Sequence, residues 1–161
     1  MKQTNKYLLL TLSFLVFSSL SFAQTDQINH LINKWHKAAA DADAVTFFGF
    51  MSNDCIYIGT DASERWDKKE FYQFAKPHFD NGEAWKFDPV ERNVYFSENG
   101  KFVWFDELLD TWMGVCRGSG ILKKTSEEWK ICHYHLSIAV PNEKIDGYLD
   151  LIKVKKQEKL K

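Results

Sequence analysis

Phe102-Val103-Trp104-Phe105-Asp106-Glu107-Leu108-Leu109-Asp110-Thr111-Trp112-Met113 is a long run of aromatic and apolar residues with strand character. In a strand, successive side chains point to opposite faces. Phe102, Trp104, Leu108 and Trp112 therefore share one face, and Val103, Phe105, Leu109 and Met113 share the other. A sheet with one face in water would alternate apolar with polar residues. Here both faces need cover, one from helices and the other from a second copy of the chain, which predicts a homodimer built through the sheet. The competing reading of the same face is a ligand groove.

Working outward, Asn99-Gly100 is a hairpin signal that joins this strand to an extended stretch over 85–96. Pro89 marks a bulge or an edge within that stretch. On the other side Gly114 breaks the strand, 115–124 returns, Thr125-Ser126-Glu127-Glu128 turns the chain, and 129–140 forms the last strand. Upstream the period changes. Ile28, Leu31, Ile32, Trp35 and Ala39 recur at helical spacing, with Thr25 or Asp26 placed to cap the start. A short helix follows from Asp43 with Val45 and Phe48 on it, then a short strand, Cys55-Ile56-Tyr57-Ile58, ending at Gly59. Asp67-Lys68-Lys69-Glu70 is a capping box for a third helix carrying Phe71, Phe74 and Ala75, which Pro77 is expected to end. Helices followed by consecutive strands define an α+β fold with a mostly antiparallel sheet.

The first 23 of the 161 residues read as a signal peptide: Lys2 and Lys6, an apolar core from Tyr7 to Phe17, then Ser21-Phe22-Ala23. The expected location is periplasmic or secreted. The domain plan is 1–23 signal, 24–143 folded domain and 144–161 a polar, Lys-rich tail, with a short amphipathic helix near 145–154. Losing Lys2 and Lys6 takes the formal charge from −1 to −3, which argues against a nucleic-acid binder held by phosphate contacts. No stable membrane insertion is expected once the signal is gone. Six Trp exceed what a core of this size needs, so some should line a cavity or an interface. Cys55, Cys116 and Cys132 match no zinc spacing; a Cys116–Cys132 bridge is one reading and three buried free thiols the favoured one.

Three blocks carry a resemblance. They are Tyr57-Ile58-Gly59-Thr60-Asp61 running on to Glu64-Arg65-Trp66, then Trp104 to Asp110, then Arg117-Gly118-Ser119-Gly120. With the element order and the ending Trp129 to Ser137, they resemble the SnoaL-like family of the nuclear transport factor 2-like superfamily. The nearest branch in character is the one similar to the calcium/calmodulin-dependent kinase II association domain. The resemblance implies a cone, with a curved sheet wrapped around helices, an apolar pocket at one end and frequent dimerisation. It implies no single activity, since isomerases, dehydratases, cyclases and plain binding modules share the fold.

Some residues invite chemistry. His133 and His135, two apart, should share a face with Ile131 and Ser137, as pocket histidines, a general acid and base, or half of a metal site. Glu107 and Asp106 sit among apolar neighbours on opposite faces, and a buried carboxylate needs a partner. Arg117 is the obvious one, facing either Glu107 or the side of Asp106 and Asp110 according to register. Tyr57 and Trp66 flank a loop that would lie at the cone mouth. No nucleophile elbow or phosphate loop is present, and no cofactor or metal is expected. The sequence thus predicts a module binding a small, largely apolar molecule, with or without an acidic group. Tyr57 and Trp66 form its walls, and Glu107, Arg117, His133 and His135 are its polar groups. The alternatives are a cofactor-free isomerase or lyase using a His with Glu107, and an assembly module without catalysis.

Overall fold

The computed structural model describes residues 23–82, 84–126 and 128–152, so positions 1–22 of the expected signal segment and the end of the tail lie outside the described residues. Helix α1 covers 23–40 and is already helical ahead of Thr25 and Asp26, so neither caps its start. Ile28, Ile32, Trp35, Ala38 and Ala39 form its buried stripe. A tight turn through Ala42 (φ 54°) leads to α2, Ala44–Gly49, whose Asp43 cap accepts from the Thr46 N–H at 3.0 Å. Strand β1, Met51–Ile58, begins four residues before the expected Cys55 start. The short β2, Arg65–Asp67, folds back onto it, and Asp67 and Glu70 form the reciprocal capping box of α3, Lys68–Asp80.

Pro77 does not end α3. The helix runs on to Asp80, because Pro77 stands in the last turn, where it removes one hydrogen bond, and Phe79 beyond it is buried in the core. Strand β3, Asp88–Phe96, then starts three residues later than expected, with a register shift between Pro89 and Glu91. Gly100 (φ 63°) closes the hairpin to β4, Phe102–Thr111. β5, Gly114–Lys124, and β6, Trp129–Ile138, complete the sheet, and Asn142–Lys144 leads into α4, Ile145–Ile152.

The strand order is β2-β1-β6-β5-β4-β3; β1 runs parallel to β6 and every other pair is antiparallel. The sheet is curved and unclosed. Its inner face carries Tyr57, Val103, Phe105, Leu109, Cys116, Leu122, Ile131, Tyr134 and Leu136 against α1, α2 and α3. Its outer face leaves Tyr95, Phe102, Trp104 and Ile121 exposed. Trp112 is not on that outer face as the alternation predicted: the strand stops at Thr111, and Trp112 sits in the β4–β5 turn, 83% exposed.

Two further expectations change. A bulge at Cys132 lets Leu122 pair with Ile131 while Ile121 pairs with His133. Ile131 therefore points inward and His133 outward, so the two do not share a face. Cys116 is opposite Ile138, six residues along from Cys132, or about 20 Å at strand rise, too far for a bridge. All three cysteines are free; Cys55 and Cys116 are buried and Cys132 is half-buried. Burial pushes the Cys55 thiol up to about 12, with Cys132 and Asp54 adding to it, so it stays protonated.

Candidate functional site

Glu107 is 1% exposed at the centre of β4's inner face. A bare carboxylate there would be costly, and three side chains answer it. His36 Nε2 from α1 lies 2.8 Å from Oε1, and Tyr134 from β6 donates its hydroxyl to the same oxygen at 3.0 Å. Arg92 from β3 donates Nε to Oε2 at 2.8 Å; its Nη2, also 2.8 Å away, lies off the hydrogen-bond direction. Asn33 in turn accepts from Arg92 Nη1 at 2.8 Å. Burial acts to raise the Glu107 pKa, but hydrogen bonds and charge from His36 and Arg92 outweigh it and hold the carboxyl below its ordinary value. Burial and the neighbouring carboxylate push Tyr134 well above the usual phenol range, so it remains a donor.

The Arg117-Gly118-Ser119-Gly120 block is what makes room for this. A Cβ on Gly118 would stand 2.3 Å from the Tyr134 hydroxyl, and one on Gly120 would stand 2.5 Å from the Phe105 ring. Arg117 itself points the other way. It is opposite Leu108 in register, and its Nη1 lies 3.5 Å from Asp106 on the outer face. His133 and His135 are also on that outer face, where burial, His135 and Arg65 lower the His133 pKa. The six expected site residues are thus divided by the sheet. Tyr57 and Glu107 lie inside, Trp66 lies at the rim, and Arg117, His133 and His135 lie outside.

An apolar cavity of about 140 Å³ opens at one end of the sheet, between β1, α3 and the β4–β5 turn. Its rings form a stack: Tyr57 on Phe71 at 3.9 Å, Trp66 on Phe71 at 5.5 Å, and Trp66 on Phe74 at 4.6 Å. Trp85 and Trp112 close the sides, and Thr60 and Glu64 are the polar residues in its wall. Glu64 Oε2 accepts from the Asp61 N–H at 3.1 Å. Beyond Phe74, Trp85 and Trp112 the cavity meets a wider basin of about 620 Å³, which adds His78, Lys86, Asp88, Asp110 and Thr111. Lys86 is paired with Asp88 at 2.8 Å. Tyr57 and Trp66 are therefore walls of one cavity, but Glu107 does not line it.

Sequence reasoning missed His36, Arg92, Trp85 and Trp112 as site residues. Arg92 was within reach of it: counting outward equally from Asn99-Gly100 brings Arg92 opposite Glu107, as the β3–β4 register has it. No local signal brings α1's His36 to the same carboxylate, since the contact spans 71 positions.

A helix-backed, curved six-stranded sheet with an aromatic mouth defines a protein of the nuclear transport factor 2-like (NTF2-like) class. The chain matches the SnoaL-like domain over residues 28–141 and belongs to that family. Among solved structures it is similar to an NTF2-like protein of unknown function from Pseudomonas putida, with 16% identity, TM-score 0.63, and 76% of this chain and 92% of that one covered. It is also similar to an NTF2-like protein from Cytophaga hutchinsonii, with 15% identity, TM-score 0.61, and 72% and 98% covered. The association domain of C. elegans CaMKII matches at 16% identity and TM-score 0.60, with 72% and 96% covered. No match is found among curated proteins.

Proposed function

We propose that this SnoaL-like domain binds one small, flat, largely apolar molecule in the aromatic mouth and does not transform it. The observation that carries this is the contrast between the two polar and apolar centres. The mouth offers about 140 Å³ of ring-lined space, close to the ~150 Å³ that accepts a benzene-sized guest. The buried acid, by comparison, has both oxygens engaged and no place in the cavity wall. A β6 histidine paired with Glu107 for proton transfer is not assembled, because the sheet separates them. An acidic group on the ligand also loses its expected anchor, since Arg117 is outside.

The test is native and denaturing mass spectrometry of the protein from its own host, followed by titration with flat aromatic probes such as 1-naphthol, read by Trp fluorescence. A released mass, or quenching that weakens about tenfold in Trp66→Ala, supports the reading; a stacked ring is worth roughly 1 kcal/mol or more. Absence of both retained mass and probe binding overturns it. The same spectra report whether the chain starts at Gln24, as the proposed export to the periplasm or medium requires.

The outer sheet face favours a second, compatible reading, self-association. Trp104 is 47% exposed and stacks on Tyr95 at 5.8 Å, with Phe102 and Ile121 also exposed on that sheet face. The CaMKII association-domain likeness is consistent with it.

A further inference from the structure

The aromatic mouth has a sign of charge as well as a shape. Glu64 is the one charged residue among those that line the cavity of about 140 Å³. Its Oε2 accepts from the Asp61 N–H at 3.1 Å, while Oε1 accepts no hydrogen bond and the carboxylate forms no ion pair among the described residues. Arg65, its neighbour in sequence, does not neutralise it. Trp66 pairs with Tyr57 on the inner face, so Arg65 is turned outward, where it acts on His133. The Glu64 charge does reach the cavity wall: burial first, and Glu64 after it, push the Tyr57 phenol above its ordinary value.

The rings add to the same sign. Trp66, Phe74, Trp85 and Trp112 line the cavity, and an aromatic face is the negative side of a quadrupole. Outward, in the basin of about 620 Å³, Asp88 and Asp110 stand against Lys86, with His78 the remaining titratable group. Lys86 is held by Asp88 at 2.8 Å and feels Asp110 from further away. Mouth and basin together therefore set three carboxylates against one ammonium. An anion would be opposed by the rings and by the acids, and a neutral guest gains burial alone. A cation is drawn by both.

Resting on the binding reading above, we propose that the ligand of this mouth is a flat organic cation, its ring seated among Trp66, Phe74, Trp85 and Trp112 and its positive charge against Glu64. The chemical class is a heteroaromatic cation or an aromatic amine.

Three probes of one shape separate charge from fit: 1-methylnaphthalene is neutral, N-methylquinolinium is permanently cationic and 1-naphthoate is anionic. Equilibrium dialysis against the full chain should give N-methylquinolinium about tenfold tighter than 1-methylnaphthalene, with 1-naphthoate the weakest. Glu64→Gln keeps an oxygen for the Asp61 N–H and removes the charge. It should cost the cation about tenfold and leave 1-methylnaphthalene and the unfolding midpoint unchanged. Asp110→Asn, at an exposed position of the basin, reads the same sign without touching that loop and should cost the cation about threefold. Cation and neutral probe bound equally, 1-naphthoate bound best, or a cation preference that survives Glu64→Gln each overturn the proposal while leaving the mouth a binding site. Failure of all three probes to bind overturns the binding reading itself, and the cation with it.

Discussion

Glu107 shows how much of a site one residue can disclose and where that stops. An acid inside an apolar strand announces a buried partner, and the sequence did place a need there. It named Arg117, facing either Glu107 or the side of Asp106 and Asp110, and the β4–β5 register sets Arg117 opposite Leu108 and sends it outward to Asp106. The true partner, Arg92, was readable from the hairpin count; His36 was not, because only the packing of α1 across the sheet delivers it. The carboxyl is held below its ordinary value near 4.5, so its stabilising contribution is full above that value and fades as pH falls through the lower folded value. Glu107→Gln leaves Arg92 buried without its counter-charge and should cost about 3–5 kcal/mol at pH 7. Urea unfolding from pH 7 to pH 3 checks the sign: the gap between the two proteins should narrow only at the acid end. A gap that is constant with pH would mean the pair adds no charge-dependent stability.

Elements were easier to read than their ends. The 3.6-residue stripe of α1, the Asp67–Glu70 capping box and the Asn99-Gly100 hairpin each encode a local structure in a few adjacent residues, and each is present. The failures share a cause, a tertiary contact overriding a local rule. Phe79's burial carries α3 past Pro77, and the bulge at Cys132 turns Ile131 inward against simple alternation. β5 shows the reverse case, in which a sequence oddity had a packing reason. Glycines at 118 and 120 look wrong for a central strand, but they leave the volume that the Tyr134 hydroxyl and the Phe105 ring occupy. Gly118→Ala should therefore destabilise by about 1–3 kcal/mol, because the inserted methyl displaces Tyr134 from Glu107. Chemical denaturation gives the magnitude. The same substitution combined with Tyr134→Phe should cost less than the sum of the two, since they act on one contact; strict additivity would refute that link.

At the scale of the whole molecule, the described residues cover one side of the sheet and leave aromatic surface exposed on the other. The inner face is closed by α1, α2 and α3, whereas the outer face presents the Tyr95–Trp104 stack with Phe102 and Ile121. Monomers rarely leave contiguous aromatic surface of this kind uncovered, and in the proposed self-association a second copy would supply the same patch in return. Trp104 lies at the middle of it and makes no inner-face contact, so Trp104→Asp should convert the proposed dimer to monomer with little loss of fold stability. Trp112→Asp, in the turn at the cavity rim, should leave the dimer intact and affect only ligand uptake. The same face carries its own pH dependence. Burial, His135 and Arg65 lower the His133 pKa, so the ring is neutral at pH 7 and gains charge only in more acidic solution. That charge would arrive beside Arg65 and His135, on the face that the proposed dimer would bury. Sedimentation velocity at pH 7.5 and pH 5 should show the dimer weakening toward acid, and His133→Gln should remove most of the change; a monomer at both pH values would leave the exposed stack without the role argued for it.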